Sequence, residues 1–142
     1  MAIKMRVLYS SSKKGIAQVA HAIQDKFQLP VNAVDHQIPP AYSCNRERIV
    51  ILCISAKKEV ADAIRLFCAE LTKERAANVA LLIDGDQAVM DQLTNVITNA
   101  GTNLVGSKLI KLGGFGPFGG KITDEQQAEI LAWTDELVAN CK

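Results

Sequence analysis

Two uninterrupted apolar runs, Ile49–Ile54 (IVILCI) and Val79–Ile83 (VALLI), most constrain how this chain can fold. A strand with one wet face alternates apolar and polar residues. A strand with no polar position must be covered on both faces. Stretches of helical periodicity separate these runs from the other apolar segments. Ile16, Val19, Ala20, Ile23 and Phe27 recur at i, i+3, i+4, i+7 and i+11, one helical face. Val60, Ile64, Phe67, Cys68 and Leu71 give a second face, and Val89, Met90, Leu93, Val96, Ile97 and Ala100 a third, stopped by Gly101. Further strands are expected at Arg6–Tyr9, at Val31–Asp35 and at Leu104–Leu112. Pro30 puts the second of these at a sheet edge. His36–Glu47, with Pro39 and Pro40, reads as an irregular crossover. Thr123-Asp-Glu-Gln126 matches a capping box and opens a last helix, with Ile130, Trp133, Leu137 and Cys141 turned inward. Alternation of strand and helix requires a parallel sheet with right-handed crossovers. The expected class is therefore α/β, a three-layer α/β/α sandwich over residues 1–142 as a single domain.

Composition removes several function classes. Sixteen basic residues stand against 15 acidic ones, a formal net charge of +1. No global field selects nucleic acid or an anionic membrane. The apolar runs are far too short to span a bilayer, and the N-terminus lacks the long apolar region of a signal peptide. Cys44, Cys53, Cys68 and Cys141 share no CxxC spacing. They read as reduced thiols serving as small hydrophobes, which suits a cytoplasmic protein. Neither His21 nor His36 has a cysteine at zinc-ligand spacing or an adjacent nucleophile and orienting acid.

The chemistry is expected beyond the carboxyl ends of the strands, at the point where strand order reverses. Three segments reach that edge. Ser10, Ser11, Ser12, Lys13, Lys14 and Gly15, followed by Ile16, form a strand-to-helix turn rich in hydroxyls and cations. Free N–H groups and the positive end of a helix dipole suit phosphate oxygens there. The same serines would equally serve as helix caps. Ser55, Ala56 and Lys57 follow the third strand, and Asp84, Gly85, Asp86 and Gln87 the fourth. Asp84 and Asp86 read as helix caps in preference to a metal pair. Gly113-Gly-Phe-Gly-Pro-Phe-Gly-Gly120 reads as a turn with two phenylalanines tucked into the core, as a lid offering Phe115 or Phe118 to a ligand, or as a subunit contact.

Tyr9-Ser-Ser-Ser-Lys-Lys-Gly-Ile-Ala-Gln-Val-Ala20 resembles the phosphate loop of flavodoxins. Val79-Ala-Leu-Leu-Ile-Asp-Gly-Asp-Gln87 resembles the family's fourth strand and second flavin loop, and Gly120-Lys-Ile-Thr-Asp-Glu its approach to the last helix. The resemblance implies a five-stranded sheet of order 2-1-3-4-5. It also implies FMN as cofactor, held by the fourteen residues from Ser10 to Ile16, Ser55 to Lys57 and Asp84 to Gln87. It further implies electron transfer to a redox protein partner, so an electron carrier or binding protein more than a catalyst. Lys14 stands where that loop normally has Gly, and Ile16 where a phosphate-binding Thr is usual. The aromatics that sandwich the flavin ring in the family are absent from Ser55–Lys58 and Asp84–Gln87. These departures imply weak flavin binding, or a flavin-free module that takes another phosphate-bearing small molecule or a protein partner.

Overall fold

The computed structural model describes residues 5–10, 14–27, 31–33, 47–56, 62–110 and 122–140. In chain order they form β1 (Met5–Ser10), α1 (Lys14–Phe27), β2 (Val31–Ala33), β3 (Ile49–Ala56), α2 (Asp62–Ala69), β4 (Asn78–Gly85), α3 (Gln87–Ala100), β5 (Asn103–Ile110) and α4 (Asp124–Asn140). The strands make one sheet in the order β2-β1-β3-β4-β5, and every neighbouring pair is parallel.

Alternate residues of the central strands feed two separate cores. Val50, Leu52 and Ile54 of β3 and Val79, Leu81 and Ile83 of β4 pack with Ile64 and Phe67 of α2 and with Val89, Met90, Leu93 and Ile97 of α3. Ile49, Ile51 and Cys53, with Ala80 and Leu82, pack instead with Ile16, Val19, Ala20 and Ile23 of α1 and with Ile130 and Leu137 of α4. The apolar runs are continuous because both pleat faces are dry. Three layers follow, with α1 and α4 on one face and α2 and α3 on the other.

Local signals set several element ends. Gly101 ends α3 with φ 102°, and its N–H donates to the Thr98 carbonyl at 3.2 Å, the left-handed stop that glycine adopts without a Cβ penalty. Thr123 and Gln126 form the reciprocal capping box. The Gln126 N–H donates to Thr123 Oγ1 at 3.1 Å, and the Thr123 N–H to Gln126 Oε1 at 3.0 Å. On β5 the register slips between Val79 and Ala80, which pair with Leu104 and Gly106. Val105 is the extra residue of this bulge. Gly106 leaves room for Leu137 and Trp133 of α4.

The amino-terminal edge of the sheet is tied by polar groups. Glu47, 1% exposed, meets Arg6 Nε at 3.1 Å, and its backbone pairs with that of Ala76 just before β3 and β4 begin. Asn78 Nδ2 donates to the Arg48 carbonyl at 2.9 Å and Asn103 Nδ2 to Asn78 Oδ1 at 3.0 Å. Val60, Asp35, Leu112, Cys44, Cys141, the crossover through Pro39 and Pro40, and the segment with Phe115 and Phe118 lie outside the described residues.

Gly85 tests how tightly the central strands meet at the opposite edge. A Cβ there would overlap the Ala56 carbonyl oxygen, a main-chain atom that cannot move aside without parting β3 from β4. Gly101 has open space around the same position. Gly85→Ala is expected to lower stability by about 2–3 kcal/mol, against about 1 kcal/mol for Gly101→Ala from backbone strain alone. Urea unfolding of both variants checks the ranking. Equal losses would show that the strand ends part freely.

Candidate functional site at the carboxyl edge

The carboxyl ends of three strands lie side by side. Ser10 of β1 pairs with Ile54 of β3, Ser55 of β3 with Asp84 of β4, and Ala56 with Gly85. From β1 the chain leaves toward β2, and from β3 it proceeds the other way to β4 and β5. Strand order therefore reverses between β1 and β3, where an open α/β sheet leaves a crevice.

Helix α1 begins beside this crevice. The N–H groups of Lys14, Gly15 and Ile16 in its first turn have no acceptor within the helix. No acidic residue stands in that turn, and residues 10–17 (SSSKKGIA) contain none. By contrast α2 carries Asp62 and α4 carries Asp124 and Glu125 in the first turn, and α3 has Asp86 at its N-cap. Among the described helices, α1 is thus the one with no carboxylate in its first turn or at the residues just before it.

The candidate residues divide into distinct roles. Ile16 is fully buried among Val19, Cys53 and Leu82. Its side chain faces the core, so only its main-chain N–H is available to a ligand. Ser10 and Lys14 are placed as backbone at the end of β1 and the start of α1. Ser11, Ser12, Lys13 and Lys57 lie outside the described residues. Ser55 and Asp84 are brought together across the strands, with Ser55 Oγ donating to Asp84 Oδ2 at 2.8 Å. Asp84 is only 6% exposed.

The capping position is taken by Asp86 alone, and not by Asp84. Asp84 belongs to β4, where strand pairing continues past the apolar run and turns its carboxylate toward Ser55. Asp86 does occupy the N-cap of α3 in extended conformation, but its side chain makes no capping hydrogen bond. The Asp86 carbonyl receives the N–H groups of Val89 and Met90 instead. Gln87 donates along the helix to Asp91 Oδ1 at 2.9 Å. The Ser55–Asp84 bond is the feature that residue spacing missed. Its signal was present: each is the first polar residue after a buried run, on strands that are neighbours only in space.

The donor set suits one end of FMN better than the other. Helix N-terminal N–H groups, hydroxyls and lysine are hard partners for a phosphate. Ser55, Ala56 and Asp84 to Gln87 supply no aromatic face for a ring. Among the described residues no group of three metal-ligating side chains occurs. No described helix is long and apolar enough to cross a membrane.

No protein-family model matches the sequence, and no characterised protein matches it at the level of sequence. The fold does match. A flavodoxin from Streptococcus pneumoniae TIGR4 superposes with a TM-score of 0.71 at 16% identity, covering 95% of this chain and 97% of that one. A short-chain flavodoxin associated with a bacterial microcompartment gives 0.72 at 13% identity over 99% and 100% of the two chains. A flavoprotein from Lactobacillus acidophilus, solved in complex with FMN, gives 0.52 at 12% identity over 76% and 93%. The fold is flavodoxin-like.

Cys53, two residue pairs below Ser55–Asp84, is a packing residue. Burial pushes its thiol up from an ordinary 9.0 to about 12. The folded chain therefore keeps this proton where the unfolded chain gives it up. Stability from this group is intact below pH 9.0 and is lost as pH rises from there toward 12. Cys53 and the buried Cys68 are expected to resist a disulfide thiol reagent at pH 8 in the native protein and to react on unfolding. Fast labelling of Cys53 without denaturant, read by peptide mass, would contradict this.

Proposed function

We propose that this chain binds FMN at the carboxyl edge and acts as an electron carrier or flavin-binding protein, with the phosphate held more firmly than the ring. The observation that carries this reading is the start of α1, whose own turn holds no carboxylate, at the strand-order reversal of a flavodoxin-like sheet. The main-chain N–H groups of Lys14, Gly15 and Ile16 would hold phosphate oxygens. The hydroxyls of Ser10, Ser11 and Ser12 and the charges of Lys13 and Lys14 would complete that shell. Ser55, Ala56, Lys57 and Asp84 to Gln87 would flank the ring. When bound, FMN supplies one- and two-electron redox chemistry, and the chain supplies position and electrostatics.

Without aromatic partners from the second and third segments, the ring would rest on aliphatic side chains and backbone or borrow Phe115 or Phe118. Two lost stacking partners cost about 2 kcal/mol, or roughly thirty-fold in affinity. The proposed setting is the cytoplasm, where buried thiols such as Cys53 and Cys68 stay reduced. A second reading, a flavin-free module that takes another phosphate-bearing small molecule or a protein partner, is favoured by that same lack of an aromatic face.

One titration separates them. Adding FMN to the protein is expected to shift the flavin absorbance bands and to quench its fluorescence only in part at micromolar protein. Lys14→Ala is expected to weaken binding several-fold at low salt and less at high salt, because screening removes point-charge attraction. An unchanged flavin spectrum at saturating protein would favour the flavin-free reading. Tight, stoichiometric binding would show that the ring is held by groups other than stacked aromatics.

A further inference from the structure

We infer that the Ser55–Asp84 pair is a charge-selecting element of this site, which opposes added negative charge beside the start of α1. The inference rests on the anion-binding reading of the same edge. Ile51 and Cys53 of β3 and Ala80 and Leu82 of β4 face the core that contains Ile16 of the first turn of α1. Ser55 and Asp84 are the next positions on that alternation. They pair in register and are joined by the 2.8 Å hydrogen bond. The Asp84 carboxylate therefore lies on the α1 face of the sheet, one step beyond Leu82 of the core that Ile16 shares. At 6% exposure it is largely shielded from solvent ions, so salt screens it less than a surface charge.

Two opposed electrostatic features thus meet at one edge. The first turn of α1 attracts an anion, and the buried carboxylate opposes it. If Asp84 also engages a cation of the neighbouring segments, it competes with the ligand for that cation, and the sign is the same. Ligands are then graded by charge. A phosphorylated flavin is held back by Asp84 and its phosphate-free counterpart is not. Ser55 is a positioning residue: it fixes the carboxylate's direction and does not itself select.

Asp84→Asn keeps the shape and an acceptor for the Ser55 hydroxyl while removing the charge. The test titrates FMN and riboflavin against the full wild-type chain, Asp84→Asn and Ser55→Ala, following fluorescence quenching at low and high salt. Asp84→Asn is expected to raise affinity for FMN relative to riboflavin by about five-fold at low salt, with the gain shrinking as salt rises. Ser55→Ala should shift the ratio the same way by less. A parallel series adds inorganic phosphate and reads Tm, with a larger rise expected in Asp84→Asn than in wild type. An unchanged FMN-to-riboflavin ratio, or weaker FMN binding in Asp84→Asn, overturns the inference while leaving the FMN reading standing. Should no protein bind either flavin, the FMN reading fails, and the phosphate series decides: a larger Tm rise in Asp84→Asn supports charge selection, and an equal one overturns it.

Discussion

The two-sided dryness of β3 and β4 is the constraint on which the other features depend. Residues Ile49 to Ile54 and Val79 to Ile83 are all buried, so neither face of these strands can be left to water. Their backbone N–H and C=O groups must then be paired within the sheet, and helices must cover both sides. Parallel strands joined by helical crossovers meet both demands. The same arrangement gathers every strand's carboxyl end at one edge. The site is a by-product of how the core is closed.

The two edges of the sheet are finished differently. At the amino edge, Glu47 with Arg6, Asn78 with Arg48 and Asn103, and Thr102 with the Ala76 carbonyl satisfy one another. This is a closed polar seam that fixes register. At the carboxyl edge the turn into α1 carries no carboxylate, and the shielded carboxylate of Asp84 lies on the same face of the sheet. The described surface does have open depressions elsewhere. One of about 510 Å³ lies between α1 and α4, beside His21 and Gln127, and one of about 400 Å³ lies at the amino edge, beside Lys73 and Asn103. Neither adjoins the strand ends where the chemistry-bearing residues gather.

Much of the architecture was legible because burial periodicity is a local property. The faces of α1 and α3, the stop at Gly101 and the cap formed by Thr123 and Gln126 are each set by residues within a turn or two. Strand ends were less legible. Apolar runs end at Ile54 and Ile83, whereas pairing continues through Ser55–Asp84 and Ala56–Gly85. The backbone stays in the ladder after the side chains turn polar, since hydrogen bonding does not depend on the side chain. That is why Asp84 resembles a cap in sequence and is a strand residue in space. Ile16 shows the converse. It follows directly on the hydroxyl- and lysine-rich stretch, but it lies in α1 and its side chain belongs to the core.

The sequence by itself determined the class of fold, the continuous burial of the central strands and the hydroxyl- and lysine-rich stretch that leads into α1. All of these follow from short-range patterning and residue chemistry. Only the tertiary structure decided that Ser55 and Asp84, 29 positions apart, share a hydrogen bond, that Glu47 is paired with Arg6 across 41 positions, and that Gly85 is needed against the Ala56 carbonyl. The physical reason is register. Which residues of two parallel strands lie opposite each other depends on how the helices between them pack, and no local pattern carries that information.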